Sequence, residues 1–225
     1  MKRNGVSMSN KTFSVLTVTK RSGWKNCLDR NIMAQTVATD KVIVVEEGVN
    51  APAKKRKSNL NASLNAGLKL VKTDYVIFYQ DFIDLPTNCF QKLLALVDEE
   101  TFVTTCTKNP DGKPNDPRYL GADCPRPCRP DEWEANVAIA PMKAIKELGG
   151  FDEEYDNGWS WDNVNLAERA ALLGYKFILD ESNRPQLLPH PPAHNGELEP
   201  NGEFHAQRMR EIKDGTRSIR CDYLL

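Results

Sequence analysis

Long hydrophobic runs are missing from this chain: no apolar stretch approaches the roughly 20 residues that a bilayer span needs. The N-terminus carries Lys2 and Arg3 but lacks the apolar segment of a secretory signal, so a cytoplasmic location is the expectation. Charge of one sign is also missing. With 30 Lys and Arg against 31 Asp and Glu, the protein as a whole has no electrostatic reason to prefer nucleic acid or an anionic membrane. Internal repeats are absent, which excludes solenoids and propellers. Disorder is excluded by composition, because 40% hydrophobic residues in 225 are enough to bury the core of a single α/β domain.

The six cysteines lack the pattern of a full metal site. Cys27 and Cys89 fall in expected helices, Cys106 at a strand end and Cys221 near the terminus, while Cys124 and Cys128 stand close together in Cys-Pro-Arg-Pro-Cys. That spacing is half of a zinc site, which needs four ligands, and beyond Cys106 no Cys or His lies nearby. Reduced, unligated thiols are the expectation, with zinc on Cys106, Cys124 and Cys128 as the alternative. A cytosolic setting disfavours structural disulfides.

What is present is best seen at Asp74 to Pro86. Tyr75 to Tyr79 are aromatic or mostly β-branched without polar alternation, which predicts a strand covered on both faces. It ends in Asp81, Asp84 and Pro86, and proline forbids a ladder beyond it. Ligands of open α/β sheets bind beyond the carboxyl ends of the strands, so Asp81 and Asp84 are expected where a cation or phosphate is handled, and hard oxygen ligands suit magnesium or manganese on a diphosphate.

Along the chain, strands and helices alternate. Strands are expected at Phe13 to Thr19, Val42 to Val45, Phe102 to Thr105, Ala135 to Ala140 and Tyr175 to Leu179. Helices are expected at Trp24 to Gln35, from an N-cap at Ser58 through Lys72, at Thr87 to Val97, after Pro141 at an N1 position, and at Asp162 to Leu173. The alternation implies a mostly parallel sheet with right-handed crossovers. Residues Lys108 to Asp131, with six prolines, read as a surface excursion and a candidate lid. Residues 1–12 are expected to be a tail, 13–198 one domain with halves 13–107 and 108–198, and 199–225 a helical tail.

Several motifs together carry a resemblance: Thr17-Val18-Thr19, Val44-Val45-Glu46-Glu47-Gly48, Asn65-Ala66-Gly67-Leu68, Gln80-Asp81, Gly149-Gly150-Phe151-Asp152 and Gly158-Trp159-Ser160-Trp161-Asp162-Asn163-Val164-Asn165-Leu166. In order and spacing, from Phe13 to His194, they resemble family 2 glycosyltransferases of the GT-A fold. The resemblance implies a single Rossmann-like α/β domain. It also implies transfer of a sugar from a nucleotide diphosphate sugar, a UDP-sugar first among the candidates, with Mn2+ or Mg2+ on the diphosphate and usually with inversion.

Residue by residue, the resemblance places Thr17, Thr19, Asn65 and Gln80 at the nucleotide-sugar, with Glu46 and Glu47 on the base and ribose. The family's Asp-x-Asp metal motif maps on Gln80-Asp81-Phe82, one carboxylate short. Asp81 is then the first metal ligand, Asp84 a substitute, and His190 the late histidine, with His194 in reserve. The family's Glu-Asp pair maps on Asp162-Asn163. A base must be a carboxylate or imidazole within reach of the acceptor hydroxyl, which makes Asp162 the catalytic candidate and Asn163 a positioning amide. Trp159 and Trp161 are candidates for stacking on sugar or acceptor.

Plainer readings stand beside these. Asp162 can be a helix N-cap, Asp84 a turn residue, the tryptophans packed core, Lys54 to Lys57 a solvated loop, and Gly149-Gly150 only a helix stop. A nucleotidyltransferase that makes nucleotide sugars is the second reading, but the segment after the first strand, Thr19-Lys20-Arg21-Ser22-Gly23, has a single glycine where that chemistry wants several. A non-catalytic nucleotide-sugar-binding protein is the third, because Gln80 and Asn163 stand where acids are expected. The acceptor is not encoded: a glycan, protein, lipid or modified nucleic acid all remain, and the oligomeric state is open.

Overall fold

A computed structural model describes residues 11–19, 25–46, 58–113, 116–189 and 200–224, without the side chains of 25–27. Glu47, the basic run 54–57, His190 and His194 lie outside the described residues. The order is β1 (Phe13–Thr19), α1 (Lys25–Met33), β2 (Lys41–Glu46), α2 (Leu60–Leu68), β3 (Tyr75–Tyr79), β4 (Ile83–Asp84), α3 (Cys89–Leu96) and β5 (Thr101–Thr105). Then follow β6 (Pro125–Pro127), β7 (Val137–Pro141), α4 (Met142–Leu148), α5 (Asp162–Leu172), β8 (Lys176–Asp180), β9 (Gln186–Leu187) and α6 (Gly202–Lys213).

One seven-stranded sheet carries the molecule, in the order β2-β1-β3-β7-β5-β8-β6, and β4 pairs with β9 in a separate ribbon. Five strands run one way; β7 is antiparallel to both β3 and β5, and β6 to β8. The sheet is mostly parallel, as alternation predicts, but β7 is not a crossover strand. Val137, the first residue of β7, lies beside Tyr79, the last of β3, so the chain enters β7 at the carboxyl edge of the sheet and runs back down.

β3 is buried on both faces. Val76 and Phe78 join Leu16, Leu64, Phe102, Trp133 and α4 on one side, while Tyr75, Ile77 and Tyr79 join Val15, Phe90 and Leu93 on the other. Phe78 meets Trp133 and Phe151 edge to face, with ring centroids 6.0 and 5.6 Å apart. A strand with two apolar faces therefore has its polar ends as the points where it can meet a ligand.

Several local expectations are corrected. Pro141 closes β7 and serves as the N-cap of α4 rather than its first residue. The N-cap of α2 is Asn59 rather than Ser58, with no side-chain cap bond, and the helix ends at Leu68 rather than Lys72. Its cap comes from afar: Asp156 Oδ1 accepts from Asn61 N at 2.8 Å and Oδ2 from Ala62 N at 3.0 Å. The final segment is not an appendage. Cys221 N donates to Leu148 O, and Arg169 Nη1 donates to Ile219 O at 3.2 Å.

Residues 116–131 of the proline-rich segment are stapled rather than loose. Glu181, at the end of β8, accepts from Arg126 Nε at 2.7 Å and from the amides of Leu120 and Ala122. Arg126 also pairs with Glu132 at 2.9 Å, and Arg118 pairs with Asp116 while donating to Thr105 O and Glu132 O. Buried carboxylates satisfied in this way fix a proline-rich path that sequence composition makes look free. Among the described residues, no helix is long and apolar enough to cross a membrane.

Candidate active site

The site begins at the carboxyl edge of three adjacent strands. Thr19 closes β1 and lies in register with Glu46 at the end of β2, while β1 and β3 pair in parallel through Leu16 and Phe78. Thr19 Oγ1 donates to Asp81 Oδ2 at 2.5 Å, just beyond the end of β3. Glu46, Thr19 and Asp81 thus stand in a row although Thr19 and Asp81 are 62 positions apart in the chain. Asp81 is 2% exposed and Glu46 exposed, so the row passes from the sheet interior to its surface.

The next strand in the row is β7. Gln80 N donates to Asn136 O at 2.9 Å, and Asn136 Nδ2 donates to Glu134 Oε2 at 2.8 Å. Glu134 Oε2 also lies 3.5 Å from Arg118 Nη2. Burial raises the Glu134 carboxyl above its ordinary range despite Arg118, and the charges of Asp116 and Asp162 add to the rise. Glu134 is a carboxylate of the site that has no motif in sequence. Its signal is an acid set between buried Trp133 and Ala135, shortly before a strand.

Asp162 opens α5. The cap position is Trp161, so the plain N-cap reading of Asp162 does not apply. Burial raises its carboxyl above the ordinary aspartate range, against the lowering effect of amide bonds from Asn163 and from its own N–H. A base held in this way keeps its proton to higher pH and takes one more readily when ionised. Asn163 is half-buried next to it. Trp159 and Trp161 are 41% and 39% exposed, so neither is packed core.

Three further expected site residues are engaged or buried within the fold. Asn65 is 1% exposed, and its amide is consumed within the fold: Nδ2 donates to Phe151 O at 2.9 Å and Oδ1 accepts from Phe151 N at 2.9 Å. It clamps α2 to the Gly-Gly-Phe segment. Asp84 lies in the β4-β9 ribbon, with its carboxylate 3.5 Å from Arg30. Thr17 is wholly buried, and its hydroxyl has no hydrogen-bond partner among the described residues.

Gly149 and Gly150 do more than end a helix. Both are left-handed, and a Cβ on Gly149 would fall 1.4 Å from Cys221 O, one on Gly150 2.4 Å from Asn65 Oδ1. The Gly-Gly pair is where the C-terminal segment and the Asn65 clamp close onto the domain.

For a metal, Asp81 is a hard oxygen donor of the kind magnesium and manganese take. Among the described residues no three of His, Cys, Asp and Glu are grouped to hold an ion. That donor set fits an ion carried by substrate phosphates and anchored by one or two carboxylates, as magnesium usually is. It does not fit zinc on Cys106, Cys124 and Cys128. Cys106, Cys124 and Cys128 form no such group among the described residues; burial pushes the Cys106 and Cys128 thiols up to about 12, and Cys124 is exposed.

No protein-family model and no curated protein matches the chain. Solved structures do. GalNAc-T7 with UDP, GalNAc and Mn2+ superposes with a TM-score of 0.66 at 13% identity, over 90% of this chain and 48% of that one. TarS residues 1–349 from S. aureus, in complex with UDP-GlcNAc, superposes with a TM-score of 0.66 at 14% identity, over 89% of this chain and 65% of that one. The chain therefore spans about half to two thirds of the length of these structures, and it shares their GT-A fold.

Proposed function

We propose that the chain is a glycosyltransferase that moves a sugar from a nucleotide diphosphate sugar to an acceptor hydroxyl, a UDP-sugar being the first candidate donor. The observation that carries this reading is the Glu46, Thr19 and Asp81 row at the carboxyl edge of β2, β1 and β3, the place where an α/β sheet receives a nucleotide. The neighbours crystallised with UDP-GlcNAc, and with UDP, GalNAc and Mn2+, support the donor class.

In this mechanism Glu46 and Glu47 hold base and ribose, and Gln80 and Thr19 orient the donor around Asp81. Asp81 would hold Mn2+ or Mg2+, with His190 as a further candidate ligand; a divalent ion there supplies charge to offset the departing diphosphate. Asp162 takes the acceptor proton while the acceptor oxygen bonds to the anomeric carbon. The carbon's bond to the diphosphate oxygen breaks, and the electron pair leaves with the nucleotide. Attack from the face opposite the leaving group inverts the centre. Trp159 and Trp161 present apolar area to the acceptor, and Asn163 orients it. A cytoplasmic place of action belongs to the same proposal.

The test is a thermal-shift screen with UDP-GlcNAc, UDP-GalNAc and their unsugared nucleotides, with and without Mn2+. A donor at about 100 times its dissociation constant stabilises by about 2.7 kcal/mol, which is easily read as a higher melting point. No shift with any nucleotide sugar removes the proposal at its root.

A further inference from the structure

Ser160 and Trp161 are consecutive non-glycine residues with left-handed backbones, φ 65° and 72°. Side chains avoid this conformation because Cβ crowds the following carbonyl, and it persists only where surrounding contacts impose it. The corner sits immediately before Asp162, and Trp161 O accepts the first α5 hydrogen bond from Asn165 N at 2.8 Å. The orientation of this corner therefore sets where α5 starts and where the Asp162 carboxylate is delivered.

The contacts that impose the corner come from about 40 residues later. Asn201 N donates to Trp159 O at 3.0 Å, and Asn201 Nδ2 donates to Ser160 O at 3.1 Å and to Tyr155 O at 2.9 Å. Pro200 bridges to Trp159 in parallel pairing. His205, in the first turns of α6, stacks on the Trp161 ring with centroids 4.9 Å apart and planes at 27°. The imidazole is itself held: Nδ1 shares a 2.9 Å hydrogen bond with Tyr155 Oη, and Nε2 lies 3.4 Å from Glu168 Oε2 on α5. Asn201 and His205 are both buried.

We infer that Asn201 and His205 are positioning residues: they clamp the strained Ser160–Trp161 corner and through it hold Asp162 and the Trp161 ring toward the acceptor. The inference rests on the proposed role of Asp162, and it makes a segment of polar, unremarkable sequence part of the acceptor site. Neither residue touches the reacting atoms; each acts through the corner.

The decisive measurement is a stability cycle with Ser160→Gly, Asn201→Ala and the double variant. Glycine removes the crowding that the clamp opposes, so Asn201→Ala should cost clearly less in the Ser160→Gly background than in the wild type. Additive effects overturn the clamp. The amide signal of Asp162 in a 15N–1H spectrum should move in Asn201→Ala; an unmoved signal overturns the link to Asp162.

Catalysis supplies the second arm, read as UDP release from UDP-GlcNAc with Mn2+ and water as acceptor. Asn201→Ala and His205→Ala should lower kcat about tenfold or more, as small misplacements of a reacting group do. Donor KM should stay within about twofold of wild type, since the donor row is elsewhere. His205→Phe keeps a stacked ring and should recover most of the loss; equal losses in His205→Ala and His205→Phe, or an unchanged kcat, overturn the positioning role. A wild-type chain with neither UDP release nor a nucleotide-dependent melting shift sinks the glycosyltransferase reading, and the stability cycle and the Asp162 amide still decide the clamp.

Discussion

Thr19 donates its hydroxyl proton to Asp81 across 2.5 Å, tying the end of β1 to the corner after β3. The bond commits Asp81 Oδ2 to the protein and fixes the orientation of the carboxylate. Asp81→Ala should abolish the melting-point shift caused by UDP-GlcNAc with Mn2+, while Thr19→Val should weaken donor binding by about tenfold, the scale of one hydrogen bond to a charged group. Isothermal titration of both variants checks the order. A Thr19→Val protein that binds donor as tightly as wild type contradicts the assignment of the pair.

Asn65 is the residue for which motif and structure part company. Removing its amide leaves the buried N–H and C=O of Phe151 without partners, so Asn65→Ala should lose about 3 kcal/mol of unfolding free energy. The folded fraction should keep its donor-dependent shift. Urea melts with and without UDP-GlcNAc separate the two; normal stability with lost donor binding would return Asn65 to the nucleotide.

Gly149→Ala combines a left-handed φ with a Cβ placed 1.4 Å from the Cys221 carbonyl. Either the 221–224 segment is displaced or the helix end shifts, and the expected cost is about 2 kcal/mol or more. Limited proteolysis should cut the variant near its C-terminus faster than wild type. Unchanged melting and unchanged cleavage would remove the docking role of this segment.

The pH dependence follows from Asp162 and Glu134, both raised first by burial. A carboxyl that holds its proton more tightly when folded than when unfolded contributes stability below its unfolded pKa. That contribution is lost as pH climbs from the ordinary carboxylate range, about 4, through the raised folded value. Asp162→Asn should therefore melt higher than wild type at neutral pH, with the difference closing near pH 4, although it loses transfer activity. Glu134→Gln should change in the same direction by less, because 43% of the Glu134 side chain stays exposed and solvent screens it. Melting curves from pH 4 to 8 check both signs.

Apolar continuity at Tyr75 to Tyr79 announces a strand buried on both faces, and the structure shows one. The start of α5 at Asp162 is equally legible, since its apolar spacing belongs to one helix. The reversed direction of β7 is not legible. Its residues are as apolar as those of a parallel strand, and its direction depends on where the preceding excursion leaves the chain. The staple on residues 116–131 is hidden for a related reason: arginine and glutamate read as solvated until their partners on β8 are known.

The sequence by itself determined the α/β class, the order of the main helices and longer strands and the carboxylate at the end of β3, because these depend on local periodicity and on a few residue types at strand ends; the short strands β4, β6 and β9 carry no such signal. Tertiary structure alone decided that Asp156 caps α2, that Asn65 serves Phe151, that Glu134 stands beside Arg118, and that Asn201 and His205 hold the corner before Asp162. Each of these joins groups far apart in the chain. Hydrogen bonds and stacking act over a few ångströms, so their partners exist only once packing has brought the strands and helices together.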